Sequence, residues 1–180
     1  MEGFLNWLQH LPAHMDPVIF QIGSFKLQYY GLMYIVAFAI TYGLALYRLR
    51  HEDRFQINIE QLQGLMTAMI IGLIIGARLG YVLFYNLSYY LSHPLEIILP
   101  FSFADGIRFT GITGMSYHGG LIGVIIATLV FVRRNNIAFF QAADLIVPCI
   151  PLGYTFGRLG NFINGELYGR PTTHPIGMVF

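Results

Sequence analysis

Residues 62–85 read LQGLMTAMIIGLIIGARLGYVLFY. From Leu62 to Tyr85 the run carries one charge, Arg78, and is long enough for a helix to cross a bilayer, which takes about 20 mostly apolar residues. Gly72, Gly76 and Gly80 recur at every fourth position. On a helix that interval makes a flat stripe along which a second backbone can approach closely, as small residues do between membrane helices. This stretch is therefore read as a transmembrane helix with a packing face and one costly charge.

The rest of the chain agrees with that reading. Hydrophobic residues make up 56% of the 180 residues and charged residues 11%, against roughly 25% charged in a typical soluble domain. Mean hydropathy is +0.59. Ten basic and nine acidic side chains cannot cover the surface of a soluble fold of this size. The net charge of +1 builds no field that would recruit nucleic acid. A disordered chain and an ordinary soluble enzyme are excluded on the same grounds. Cys149 is the only cysteine, so neither an internal disulfide nor a thiolate metal cluster is available. No second histidine stands at metal-ligand spacing from His118, and no metal or cofactor is expected.

Three further spans are expected, at about Tyr30–Tyr47, Ile112–Val132 and Phe139–Phe156. The last contains Pro148 and Pro151, which predict a kink whose freed carbonyls need partners. Phe4, Trp7, Leu8 and Leu11 place one apolar face on a short N-terminal helix, lying either in the membrane interface or on the protein itself. Alternation at Val18, Phe20 and Ile22, a break at Gly23-Ser24, then Phe25 and Leu27 predict a small hairpin or an extended lead-in. The expected architecture is an all-α polytopic membrane protein with about four transmembrane helices. It adds an N-terminal interfacial helix and small extracytoplasmic segments, and residues 1–180 form a single membrane domain. Arg48, Arg50 and Arg54 follow the first span, and Arg133 and Arg134 follow the third. Their bias places 48–60 and 133–138 in the cytoplasm and both chain ends, with the 86–111 loop, outside.

Ionisable residues in or beside spans need a reason. Asp144 and Arg78 are read either as glue inside the bundle or, for Arg78, as a cation facing a lipid phosphate. The densest polar cluster is GRLGNFINGELYG at 157–169. A plain outer loop has such a composition; glycines beside an arginine and amides also make a set of donors for an oxyanion. His118, in Ser116-Tyr117-His118-Gly119-Gly120, is either a helix-end residue or a base that works near neutral pH.

These residues resemble a known family. Gly157-Arg158-Leu159-Gly160-Asn161-Phe162-Ile163-Asn164-Gly165-Glu166 is similar to the signature of the prolipoprotein diacylglyceryl transferases. Asp16-Pro17-Val18-Ile19-Phe20, Tyr30-Gly31-Leu32-Met33-Tyr34, Gly80-Tyr81-Val82-Leu83-Phe84-Tyr85-Asn86 and His118-Gly119-Gly120-Leu121-Ile122-Gly123 match other family motifs in the same order. The resemblance runs from about residue 16 to 170. It implies an enzyme of the bacterial inner membrane that moves the diacylglyceryl group of phosphatidylglycerol to the lipobox cysteine of a prolipoprotein, the first step of lipoprotein maturation. It implies a lipid- or phosphate-binding set of Arg158, Asn161, Arg78 and Gly169, and a catalytic set of His118, Tyr30 and Glu166, with the site toward the outer half of the bilayer. His118 either activates the thiol or positions the lipid. The family extends beyond Phe180 through further spans with another important arginine. The chain is thus expected to be the N-terminal two-thirds of a transferase and to fall short of full activity alone. The 97–112 stretch is longer than the family pattern leads one to expect. Two readings of another class remain beside it: an anion or phosphate transporter lined by Arg78 and Arg158, and a non-catalytic scaffold built on the glycine stripes.

Overall fold

A computed structural model describes residues 2–23, 25–99, 101–102, 108–109, 114–174 and 176–180. Four helical stretches, Tyr29–His51, Ile59–Tyr85, Tyr117–Arg134 and Phe139–Ile163, are long and apolar enough to cross a membrane. The molecule is a mostly helical polytopic membrane protein. Its element order is α1 (Glu2–Gln9), β1 (Val18–Ile22), β2 (Phe25–Gln28), α2 (Tyr29–His51), α3 (Ile59–Tyr85), α4 (Leu87–Ser92), β3 (Phe101–Ser102), β4 (Arg108–Phe109), α5 (Tyr117–Arg134), α6 (Phe139–Ile146) and α7 (Ile150–Ile163). β1 and β2 form the expected antiparallel hairpin, and β3 and β4 form a second. On α1 the side chains of Phe4 and Trp7 are exposed.

Local signals set the helix ends. Asn58 accepts from the Gln61 amide at 2.7 Å, and the Gln61 side chain returns the bond to the Asn58 amide at 3.0 Å. This reciprocal cap starts α3 before the apolar run begins. The third span begins at Tyr117 rather than near Ile112, which lies outside the described residues. Gly114 takes φ +80°, and Ser116 is extended and caps the Gly119 amide at 3.2 Å, so the helix cannot start earlier than that cap. Most of the 97–112 stretch likewise falls outside the described residues.

The chain divides into two compact units. The first comprises residues 1–51 and 144–180 and is built on α2 and α7. Gly153 lets α7 meet α2, since a Cβ there would lie 2.8 Å from the Ala37 carbonyl oxygen. Pro148 has no amide hydrogen to give the carbonyl four residues back, that of Asp144. Arg48 supplies it instead, donating to the carbonyls of Asp144 at 2.7 Å and Leu145 at 2.9 Å. The kink and its partnered carbonyls thus match expectation, but the glue role foreseen for the Asp144 side chain does not. Asp144 contributes its carbonyl, and its side chain is exposed.

The second unit, residues 52–143, is held by α3 against α5. The glycine stripe is the contact. A Cβ on Gly72 would lie 2.6 Å from the Gly123 carbonyl oxygen, one on Gly76 2.7 Å from Gly123 Cα, and one on Gly80 2.7 Å from Gly119 Cα. No side chain fits between these backbones. We expect Gly76→Leu to push the helices apart and lower stability by about 1–3 kcal/mol or more. A lowered thermal midpoint of the purified protein in detergent checks this, and an unshifted midpoint refutes it. Ile71, Ile74, Ile75 and Leu83 of α3 remain exposed, as befits side chains whose solvent is lipid.

Candidate functional site

The expected site residues fall into two groups, one in each unit. In the first unit, Tyr30 is the second residue of α2, and its ring lies against Gly160 of α7, where a Cβ would sit 3.2 Å away. The hydroxyls of Tyr30 and Tyr34, one helical turn apart, hydrogen bond at 3.0 Å, with their rings edge to face. Asn161, next to Gly160, is buried.

The end of α7 is a left-handed turn made by Gly165 at φ +67°. The Gly165 amide donates to the Phe162 carbonyl at 3.1 Å and the Glu166 amide to the Asn161 carbonyl at 2.9 Å. That pair of bonds is the Schellman closure of a helix, and it needs a residue that tolerates positive φ. It brings Glu166 back over the last turn, where its carboxylate accepts from the Asn164 side-chain amide at 3.3 Å. Asn164 Oδ1 is buried and has no hydrogen-bond partner among the described residues. Leu167 follows at φ +52°, a left-handed conformation that is strained for a leucine.

Arg158 stands one turn earlier on α7 and is exposed. Its bond within the protein is a long one, from Nη2 to the Leu167 carbonyl at 3.5 Å. A guanidinium offers five donors in a planar fork that matches a phosphate. Among the described residues Arg158 commits only one of these donors. At Gly169 an added Cβ would meet nothing within 4 Å, so packing does not explain a glycine there.

The second unit holds Arg78 and His118. His118 is the second residue of α5 and is exposed; its ring stands edge to face with Tyr117 at 5.6 Å. Arg78 is engaged otherwise than Arg158. Its Nε donates to the Ile97 carbonyl at 2.9 Å, Nη2 to the Glu96 carbonyl and Nη1 to the Gly114 carbonyl at 3.3 Å. Its guanidinium also lies over the Tyr90 ring, 4.9 Å from the centroid. Tyr34, Gly165 and Leu167 were not foreseen as site residues. The four-residue spacing of Tyr30 and Tyr34 carries a signal for the first; the other two depend on the helix ending where it does.

The four long apolar helices define a class, the multi-pass membrane proteins. The chain belongs to the prolipoprotein diacylglyceryl transferase family, whose model matches residues 17–180. Among similar proteins, the phosphatidylglycerol–prolipoprotein diacylglyceryl transferase of Chlorobaculum tepidum is 50% identical over the whole of this chain and 62% of its own length. The proteins of the same name from Bordetella avium and Coxiella burnetii are 48% and 49% identical, over 92% and 93% of this chain and 59% and 60% of their own lengths. The chain thus spans about three-fifths of the length of the curated relatives it matches.

Proposed function

We propose that this chain belongs to an enzyme that transfers the diacylglyceryl group of phosphatidylglycerol to the lipobox cysteine thiol of prolipoproteins. The reading treats residues 1–180 as one membrane domain of the bacterial inner membrane, with the polar turn of 157–169 toward the outer face. The observation that carries it is Arg158, exposed at the end of an apolar helix beside Asn161 and Glu166 and held, among the described residues, by one long bond.

In the reaction the cysteine sulfur loses its proton and attacks the glycerol carbon of the lipid. The carbon–sulfur bond forms as the carbon–oxygen bond to phosphate breaks, and glycerol phosphate departs. Charge grows on the phosphate oxygens in that step, so a preorganised cation aimed at them lowers the barrier. Arg158 takes that role, with Asn161 and Gly169 beside the lipid headgroup. His118 accepts the thiol proton. Tyr30, supported by Tyr34, and Glu166 orient the reacting groups. No metal or cofactor enters the scheme.

The test uses the full-length protein in proteoliposomes with labelled phosphatidylglycerol and a lipobox peptide. The expected result is label on the peptide cysteine and release of glycerol phosphate. Anion flux without lipid consumption would overturn the reading in favour of transport.

A further inference from the structure

The reaction scheme leaves Arg78 without a chemical task, and its surroundings supply one. Three nitrogens of its guanidinium donate to main-chain carbonyls, two in the turn at Glu96 and Ile97 and one at Gly114. The turn is itself fixed. Glu96 is 7% exposed, and its carboxylate accepts from the Tyr89 hydroxyl at 2.8 Å. Tyr90, the next residue of α4, lies under the guanidinium. A bound phosphate would have to compete with these carbonyls for the same fork.

The Gly114 bond is the informative one. Two residues on, the Ser116 amide donates to the carbonyl of Ala77, the neighbour of Arg78, at 2.9 Å. Ser116 then caps the Gly119 amide, and Gly119 lies in backbone contact with α3 at Gly80. So residues 114, 116 and 119 are each tied to the Arg78 segment of α3, and His118 lies inside that tethered stretch. The Gly114 tether has little slack, because φ is +80° and a side chain there would run into the Tyr81 ring.

We propose that Arg78 is a positioning residue: it clamps the lead-in to α5 and thereby sets where the His118 imidazole stands. The functional half of this statement rests on the transferase reading above. A displacement of about 1 Å at a reacting group costs on the order of 10²-fold in rate. In the full-length enzyme, Arg78→Ala should lower kcat on that order while KM for phosphatidylglycerol stays unchanged. Arg78→Lys, which keeps one donor nitrogen in place of three, should recover part of the loss. Gly114→Ala acts on the other end of the tether and should reproduce the low kcat with unchanged KM. It also serves where Arg78→Ala fails to accumulate.

Amide hydrogen exchange over 114–120 gives a readout independent of turnover. It should quicken in Arg78→Ala and Gly114→Ala and stay at the wild-type rate in Arg158→Ala. A raised KM with unchanged exchange in Arg78→Ala would make Arg78 a phosphate contact and overturn the proposal, as would an unchanged kcat. Absence of transfer by the wild-type enzyme would defeat the transferase reading; the exchange rates would still decide whether Arg78 holds the tether.

Discussion

Replacing Arg158 by alanine in the full-length enzyme is expected to lower diacylglyceryl transfer about 10²–10³-fold, the usual effect of removing one preorganised donor to a developing anion. The expectation rests on its exposed fork and on the long bond to Leu167, the single one it makes among the described residues. A side chain with so little internal commitment adds little to stability, so the variant should accumulate and unfold like the parent. Arg158→Lys should retain part of the activity, because an ammonium keeps the charge but loses the bidentate geometry. The measurement is labelled diacylglycerol transferred from phosphatidylglycerol to a lipobox peptide, alongside a thermal midpoint. Undiminished transfer in Arg158→Ala would remove the site assignment.

The second large effect concerns His118. His118→Asn should reduce turnover about 10²–10⁴-fold, the range lost with a general base. Asparagine keeps a hydrogen-bonding side chain of similar reach but does not take up a proton near neutral pH. Lipid binding should therefore survive, and kcat should fall with the affinity for phosphatidylglycerol intact. An equal loss of lipid binding would make the histidine a lipid-positioning group instead. The imidazole is exposed and forms no hydrogen bond among the described residues, so the substitution leaves no buried group unpaired.

Much of the architecture is readable from residue types and spacing. The apolar run at 62–85 and the paired prolines at 148 and 151 act locally and the helices follow them, whereas the caps at Asn58 and Ser116, which fix where α3 and α5 begin, emerge only with the structure. The glycine stripe is legible for the same reason: an interval of four on a helix is already a geometric statement. The hairpin at 18–28 needs only alternation and a break.

The grouping of residues at the candidate site was legible in part. Arg158, Asn161, Glu166 and Gly169 stand within a dozen residues, and their grouping in one polar turn survives folding because one helix end carries them. Their geometry was less so. Gly165 becomes a left-handed cap only once α7 stops at Ile163, and that stop places Glu166 over Asn161.

The two arginines mark the division between what sequence and tertiary structure decide. Residue type and hydropathy alone determined that both lie in or beside spans where charge is costly, and that each therefore needs a partner. They could not say which partner. Arg78 finds its carbonyls 18, 19 and 36 residues downstream, on a turn and a loop that reach it only when α3, α4 and α5 have packed. Among the described residues Arg158 meets no comparable set, only the Leu167 carbonyl at 3.5 Å, and the proposal assigns its fork to a ligand. Helices are set by neighbours along the chain, so the sequence contains them. The assignment of a guanidinium to main chain or to ligand depends on which distant carbonyls arrive within about 3 Å, and packing alone brings them there.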